Sequence, residues 1–253
     1  MSDVIRFDQV HYTYPGSETP ALDNLNLALP KGKRIAILGH NGSGKSTLFL
    51  HANGILRPTS GHVTFNDQPL SYRHKNLTAL RQQVGVVFQQ ADDQLFSASV
   101  RQDISFGPLN LGLTEAESRA RVDEAAAQCR LTHLLDRPTH ALSGGEKARA
   151  ALAGVLAMEP DVLLIDEPTA SLDPPARQQI FAIFDALTKQ DKTIILATHE
   201  IEIAHYWADY VVILEAGKAL IAGPAETVMV NQSLLAEAGL DRLWYHQMRE
   251  QKS

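Results

Sequence analysis

A short glycine-rich segment carries the strongest chemical signal in the sequence. Residues 39–46 read Gly-His-Asn-Gly-Ser-Gly-Lys-Ser, the spacing of a loop that wraps the phosphates of a nucleotide. Its glycines let backbone N–H groups point inward, and the following helix adds the positive end of its dipole. Lys45 would reach the β- and γ-phosphates, and Ser46 would bind Mg²⁺. The predicted nucleotide-binding positions here are Gly39, Asn41, Gly42, Ser43, Gly44, Lys45, Ser46 and Thr47.

Two adjacent carboxylates directly follow the apolar run 162–165, at Asp166 and Glu167. Ligands of open α/β sheets bind at the carboxyl ends of the strands, which is where this pair would lie. Acidic residues often end strands, so the pair alone would mean little. Together with a phosphate loop it favours catalysis, with Asp166 holding Mg²⁺ and Glu167 polarising the attacking water.

His199 ends the next apolar run, 193–197 extended by Thr198, and we expect it at the same edge of the sheet. We interpret it as a residue that contacts the γ-phosphate and orients the water. The alternative is a solvated histidine that starts a helix. A zinc site with His205 is disfavoured, because the two histidines are six residues apart and the helical zinc pair is four apart.

Residues 142–146, Leu-Ser-Gly-Gly-Glu, have two interpretations. Ser143 and Glu146 have the spacing of a capping box, which explains the local structure completely. The same glycine-rich helix start also exposes N–H groups that can bind a phosphate. Thr114 and Glu117 repeat the capping spacing and predict another helix start.

The elements that position these residues alternate between strand and helix. Period-two patterning in residues 3–30 predicts strands, and continuous apolar runs at 34–38, 162–165 and 193–197 predict buried parallel strands. Helical stretches are predicted at 45–56, 114–130, 146–157 and 174–189, and a hairpin at 211–222. Residues 90–157 read as a helical insertion.

After Pro224, the apolar Val228, Leu234, Leu235, Leu243, Trp244 and Met248 either cover the core or form a second dimer contact.

Composition limits the classes of protein that fit. The chain has 253 residues, 44% of them apolar, and a net charge of −6, which suits one large domain with a subdomain. The acidic balance predicts no nucleic-acid partner. No stretch approaches the roughly 20 apolar residues that cross a bilayer, so we expect a soluble chain. The one cysteine, Cys129, predicts a reducing compartment and a semi-buried side chain.

In their order along the chain, these motifs resemble the ATP-binding cassette of ABC transporters over about residues 3–223. Ser171-Leu172-Asp173 extends the match. The resemblance implies an α/β fold: a P-loop NTPase core with a RecA-like parallel sheet, an N-terminal antiparallel β-subdomain and an inserted α-helical subdomain. It divides the chain into a cassette over 1–223, with the β-subdomain and core at about 1–89 and 158–223 and the helical subdomain at about 90–157, and a helical tail over 224–253.

Pairing of cassettes follows from the same resemblance. In this family two cassettes meet head to tail, so a second ATPase subunit, here in a homodimer, is implied. Ser143, Gly144 and Gly145 would then close over ATP held by the phosphate loop of the partner. Asp173 matches the loop that communicates across the dimer.

Two further positions match residues that contact ATP or its metal. Tyr14 matches the aromatic that stacks on adenine, and its alternative is a tyrosine at a strand edge. Gln89 matches the glutamine that senses Mg²⁺ and the γ-phosphate. It also begins the segment that touches the membrane subunit. The implied cofactors are ATP and Mg²⁺, with the metal near Ser46, Gln89 and Asp166.

Two narrower segments, 92–96 and 106–113, resemble the ATPases of energy-coupling-factor importers, especially those for cobalt and nickel. The second segment could instead be a loop, because Pro108 and two glycines would separate two helices. The resemblance implies a peripheral ATPase at the cytoplasmic face of the cell membrane. It would drive integral-membrane subunits that import cobalt, ahead of nickel or a vitamin, without touching the ion.

Two other functions stay open. A soluble ABC ATPase of DNA repair or translation would bring long coiled coils, two cassettes or a basic surface, and this sequence shows none of them. An interaction module without turnover is disfavoured by the intact Asp166, Glu167 and His199. The sequence departs from the commonest family pattern at Ala170 and Glu146, and neither position is hydrolytic.

Overall fold

A computed structural model describes residues 2–169, 172–231, 235 and 240. The strands of this part of the chain are β1 (Asp3–Tyr12), β2 (Leu22–Pro30), β3 (Arg34–Leu38), β4 (Ser60–Phe65), β5 (Gln68–Pro69), β6 (Val84–Val87), β7 (Val162–Asp166), β8 (Thr193–Thr198), β9 (Tyr210–Glu215) and β10 (Lys218–Pro224). Its α-helices are α1 (Lys45–Ala52), α2 (His74–Gln83), α3 (Val100–Asn110), α4 (Glu115–Gln128), α5 (Gly144–Leu156), α6 (Pro174–Thr188), α7 (Ile201–Tyr206) and α8 (Ala225–Val228).

The strands form two sheets. The order β2-β1-β4-β5 makes an antiparallel sheet from the N-terminal region, and the order β10-β9-β3-β8-β7-β6 makes the central sheet. In the central sheet, β9, β3, β8, β7 and β6 run parallel, and β10 pairs antiparallel with β9 as the predicted hairpin. This mixed α/β architecture confirms the predicted fold class.

The apolar runs of β7 and β8, residues 162–165 and 194–197, are buried because both faces of the sheet are covered. Leu163 and Ile194 point into a cluster that contains residues of α4, α5 and α6. Leu164 and Ile195 point the other way, into a cluster formed with α1 and the antiparallel sheet. Successive side chains therefore enter different cores, as the period of a strand requires.

Helices fill the stretch between β6 and β7. Both predicted capping boxes are present: Thr114 caps α4 with Glu117, and Ser143 caps α5 with Glu146. In the second box, the Ser143 N–H donates to the Glu146 carboxylate, and this hydrogen bond holds the pKa of Glu146 below its usual value.

The alternative interpretation of residues 106–113 as a loop between two helices applies only to the end of that segment. Pro108 lies inside α3, and the chain turns only at Gly112, which has φ 82°. Close packing holds the helix in place, since a Cβ on Gly107 would come within 2.7 Å of Met158 Cγ. Two predicted boundaries also moved: α5 begins at Gly144, before position 146, and α1 ends at Ala52, before position 56.

The region after Pro224 is described only in part. α8 is short, and Val228, Leu235 and Leu240 are buried in a cluster with β3 and β9. Leu234, Leu243, Trp244 and Met248 lie outside the described residues, as do Ala170 and Ser171.

Two predictions from composition can be compared with the structure. Within the described ranges, no helix combines the length and apolar character that a membrane crossing needs. Cys129 is fully buried rather than semi-buried, and desolvation raises the pKa of its thiol to about 12.

Ile195 tests how tightly the central sheet is packed. Because its side chain is fully buried between β8 and the antiparallel sheet, Ile195→Ala should lower the free energy of unfolding by about 2–5 kcal/mol and Ile195→Val by about 0.5–1.5 kcal/mol. Urea denaturation measures both values. Equal losses in the two variants would contradict close packing at this position.

Candidate functional site

The predicted phosphate loop connects β3 to α1 at the carboxyl edge of the central sheet. Gly42 and Gly44 have φ values of 84° and 107°, which only glycine adopts without strain. A Cβ on Gly44 would lie 2.6 Å from the carbonyl oxygen of Ala21. The loop therefore needs these glycines for its conformation and for its approach to the neighbouring chain.

Lys45 is almost fully buried at the start of α1, and its ammonium lies among oxygen atoms. Nζ donates to the carbonyl oxygens of Gly39 at 2.7 Å and His40 at 3.0 Å. It is also 3.6 Å from Oε1 of Glu167. A buried cation needs such partners, and these contacts hold the lysine between the phosphate loop and the end of β7.

Asp166 and Ser46 bring oxygen atoms together beside the loop. Ser46 Oγ donates to Asp166 Oδ2 at 2.5 Å. Burial raises the pKa of Asp166, the Ser46 hydrogen bond opposes that rise, and the nearby Glu167 charge adds to it. A hydroxyl and a partly buried carboxylate are oxygen ligands that suit Mg²⁺, so this donor set fits the predicted metal.

Glu167 and His199 form a direct pair. His199 Nδ1 lies 3.2 Å from Glu167 Oε1, while the Glu167 side chain is 8% exposed and that of His199 is 50% exposed. Glu167 also has φ 42°, a strained value for a side chain of this kind, and its N–H donates to the Ala197 carbonyl at 3.0 Å. The strained backbone directs the carboxylate to Lys45 and His199 together.

Tyr14 and Gln89 lie on the same cavity as the phosphate loop. The Tyr14 hydroxyl is 3.2 Å from Thr47 Oγ1, and its ring makes an edge contact with Tyr12 at 5.0 Å. Gln89 follows β6. The cavity is lined by Tyr14, Ala21, Asn41, Gly42, Gly44, Lys45, Ser46, Thr47, Gln89, Asp166 and Glu167.

The cavity has features that fit a nucleoside triphosphate. Ser43 Oγ is buried and has no hydrogen-bond partner among the residues that the structure describes. Helix α1 begins at Lys45, so the N–H groups of its first turn have no acceptor within the helix. The partly exposed Tyr14 ring and the ammonium of Lys45 both line the cavity, and they match an apolar base and an anionic phosphate chain.

The remaining predicted residues do not line this cavity. Ser143, Gly144 and Gly145 start α5, and Gly144 faces open space. Asp173 caps α6, where its Oδ1 accepts from the Ala176 N–H at 2.9 Å. A single chain therefore brings the phosphate loop, carboxylates, His199, Tyr14 and Gln89 together, and leaves the other four positions apart from them.

Sequence reasoning missed several residues beside the site. Ala21 lines the cavity, but an alanine carries no chemical signal that could reveal it. Thr169, Arg177 and Glu200 form a polar cluster next to Glu167 and His199. Glu200 directly follows His199, and this adjacency was the only signal available in the sequence.

Comparison with known proteins identifies the class to which this fold and site belong. The family model described as ABC transporter matches residues 22–170, more than half of the chain. The chain therefore belongs to the ABC transporter family of ATP-binding proteins and is an ABC-type ATPase.

Particular relatives extend the likeness to almost the whole chain. It is 48% identical over 240 residues to the cobalt import ATP-binding protein CbiO of Rhodobacter capsulatus, covering 95% of this chain and 85% of that protein. It is 40% identical over 250 residues to the energy-coupling factor transporter ATP-binding protein EcfA of Methanosphaera stadtmanae, covering 99% and 90%. The structure of cbiO1 from Clostridium perfringens, part of the ABC transporter complex cbiONQ, matches with a TM-score of 0.84 at 41% identity, covering 99% of this chain and 100% of that chain.

Glu167→Gln should separate nucleotide binding from turnover. The amide keeps the shape of the side chain but cannot accept a proton, so we expect kcat to fall by about 10²–10⁴-fold with little change in the Kd for ATP. Steady-state ATPase assays and a nucleotide-binding titration measure the two quantities. Glu115→Gln, on the exposed start of α4, is the control, and wild-type turnover in Glu167→Gln would remove Glu167 from the mechanism.

Proposed function

We propose that this ATP-binding protein is the hydrolytic subunit of an energy-coupling-factor importer that takes up a transition-metal ion, with cobalt ahead of nickel. Two copies would bind Mg-ATP between them and drive separate integral-membrane subunits from the cytoplasmic face. The observation that carries the ATPase part is the convergence of Lys45, Asp166, Glu167 and His199 on one edge of the sheet. We further propose the division into a cassette over 1–223 and a tail over 224–253.

Each residue of the site has a role in this proposal. Lys45 and the loop N–H groups bind the phosphates, and Tyr14 stacks on the base. Ser46, Asp166 and Gln89 would hold Mg²⁺, which neutralises charge on the β- and γ-phosphates when it is bound. Glu167 accepts a hydrogen bond from the attacking water. His199 holds the Glu167 carboxylate through the 3.2 Å contact and would contact the γ-phosphate of bound ATP.

A groove beside Gln89 supports docking on a membrane subunit. Phe96 and Phe106 meet there edge to face at 4.8 Å, and they are 65% and 50% exposed. Gln94 joins two walls of the groove, since its Oε1 accepts from the N–H of Phe88, the residue before Gln89, and its Nε2 donates to the carbonyl oxygen of Ala151 in α5. Phe96 of the first segment that resembles energy-coupling-factor ATPases and Phe106 and Leu111 of the second thus line one groove, and exposed apolar side chains grouped in this way mark interaction sites.

The position of α5 supports sharing of the ATP site between two chains. Ser143 and Gly144 present the capped start of a 13-residue helix outward, away from the phosphate loop of their own chain. A helix N-terminus favours anions. We therefore assign Ser143, Gly144 and Gly145 to ATP held by the partner, and Asp173 to the contact between the two chains.

Mixing defective chains tests this sharing. Ser143→Arg and Lys45→Ala should each abolish turnover alone, whereas a mixture should recover part of it, because one composite site in each mixed dimer keeps both intact residues. ATPase activity across mixing ratios is the measurement. Thr114→Arg removes the equivalent cap of α4 and should leave turnover intact, and a lack of recovery in the mixture would argue against sharing.

The transported ion is tested in the complete complex. We would copurify the chain with its membrane subunits, reconstitute them in liposomes and measure ATP-dependent uptake of radioactive cobalt and nickel separately. We expect cobalt to accumulate faster than nickel, and Glu167→Gln to abolish both. Uptake of a vitamin without either ion would overturn the metal assignment, and salt-sensitive nucleic-acid binding without transport would favour a soluble ABC ATPase.

A further inference from the structure

A polar cluster lies behind the Glu167–His199 pair, on the two chain segments that carry it. Thr169 lies two residues after Glu167, and Glu200 directly follows His199. Arg177, near the start of α6, reaches both of them. This cluster does not line the nucleotide cavity, so its contacts need another explanation than direct binding of ATP.

Arg177 uses all three nitrogens of its guanidinium within this cluster. Nη1 and Nη2 donate to the two carboxylate oxygens of Glu200 at 2.8 and 2.7 Å. Nε donates to the carbonyl oxygen of Thr169 at 3.1 Å. A planar fork of this kind fixes distance and angle at once, which a lysine at the same position could not do.

The same segments touch again at the catalytic pair. His199 Nδ1 contacts Glu167 Oε1 at 3.2 Å, and Thr169 Oγ1 lies 3.4 Å from Glu200 Oε1. The two segments are therefore joined at two places. One is the contact between Glu167 and His199, and the other is the set of hydrogen bonds from Arg177 to Thr169 and Glu200. We therefore expect a change in the fork to alter the separation of the two backbone segments that carry Glu167 and His199.

Backbone hydrogen bonds also hold the two segments that carry Glu167 and His199 in place. The Glu167 N–H donates to the Ala197 carbonyl at 3.0 Å, and the Glu200 N–H donates to Thr198 Oγ1 at 3.0 Å. Thr169 is 2% exposed, so its backbone has little room to move. Only Pro168 separates Glu167 from Thr169, and proline restricts that connection further.

We propose that Arg177 and Glu200 are positioning residues that set the geometry of the Glu167–His199 pair. The inference rests on the roles proposed above for Glu167 and His199. Because Asp173 caps the same helix that carries Arg177, a shift at the start of α6 would move both catalytic segments together. Arg177 thereby connects the surface assigned to the partner chain with the hydrolytic pair.

The chain offers a matched control for the ion pair itself. Arg34 also binds a carboxylate through two nitrogens, although side-on: Nη2 donates to Asp209 Oδ1 at 2.8 Å and Nε to Oδ2 at 3.2 Å. Its side chain is 32% exposed, close to the 34% of Arg177. Arg34 starts β3 at the edge of the sheet opposite the phosphate loop, so it shares the chemistry of Arg177 but not its neighbours.

The test compares Arg177→Met, Arg177→Lys, Glu200→Gln and Arg34→Met in the full chain assembled with its membrane subunits. We expect Arg177→Met and Glu200→Gln to lower kcat at least about tenfold, with the Kd for ATP within about twofold of wild type. Arg177→Lys should retain an intermediate kcat, and Arg34→Met should keep the wild-type value. The double variant Arg177→Met/Glu200→Gln should be no slower than the slower single variant, since the pair acts as a unit.

Several results would overturn the inference. Wild-type kcat in Arg177→Met, or an equal loss in Arg34→Met, would show that the fork has no positioning role. A weaker Kd with unchanged kcat would assign it to binding instead. If Arg177→Met does not fold, as judged by its thermal melt, Glu200→Gln and Arg177→Lys, which nearly keep the side-chain volumes, decide the question.

The reference variant Glu167→Gln separates this inference from the proposed function. If Glu167→Gln keeps wild-type turnover, the proposed catalytic roles fail, and the positioning role fails with them. If Glu167→Gln is inactive while Arg177→Met is normal, the positioning role alone fails.

Discussion

The hydrogen-bonded register of the parallel strands is the constraint on which the site depends. Leu38 of β3 pairs with Thr198 of β8, and Asp166 of β7 pairs with Ala197. The three strands therefore end side by side, and the residues that follow each one meet although they are far apart in sequence. Burial of both sheet faces fixes this register, because a slip of one residue would exchange the side chains between the two cores. The same strand pairing thus buries the apolar side chains and brings the polar residues of the site together.

The helical region is joined to the same framework through the start of α6. A Cβ on Gly145 would come within 2.8 Å of Ala176 Cβ, so this glycine allows α5 and α6 to approach closely. Arg149 strengthens that contact, since its Nη1 donates to Gln179 Oε1 at 2.6 Å and its Nε donates to the Cys129 carbonyl at 3.1 Å. The capped start of α5 is therefore held against the helix that Asp173 begins.

The features that could be predicted from the sequence are those in which a short local pattern of residues matches what the folded structure needs at that place. The phosphate loop, the apolar runs of β7 and β8 and both capping boxes are patterns of this kind. The local pattern did not reveal that Pro108 lies inside α3, because proline usually ends a helix. It also missed Arg177, whose partners lie 8 and 23 residues away and are brought near by the sheet. The sequence did place His199 and Glu167 at the same edge of the sheet, whereas their direct contact depends on the adjacency of β7 and β8, which spacing along the chain does not encode.

The complete burial of Cys129 makes the chain suitable for site-specific labelling. It is the one cysteine in the sequence, and its thiol is both inaccessible and poorly ionised. Only the thiolate reacts with maleimide or disulfide reagents. A cysteine introduced at an exposed position such as Tyr206, which is 76% exposed, would accordingly carry a fluorophore or spin label without interference from the native residue. Distances between two labelled copies could then be followed through the ATP cycle without first removing a native thiol from the interior.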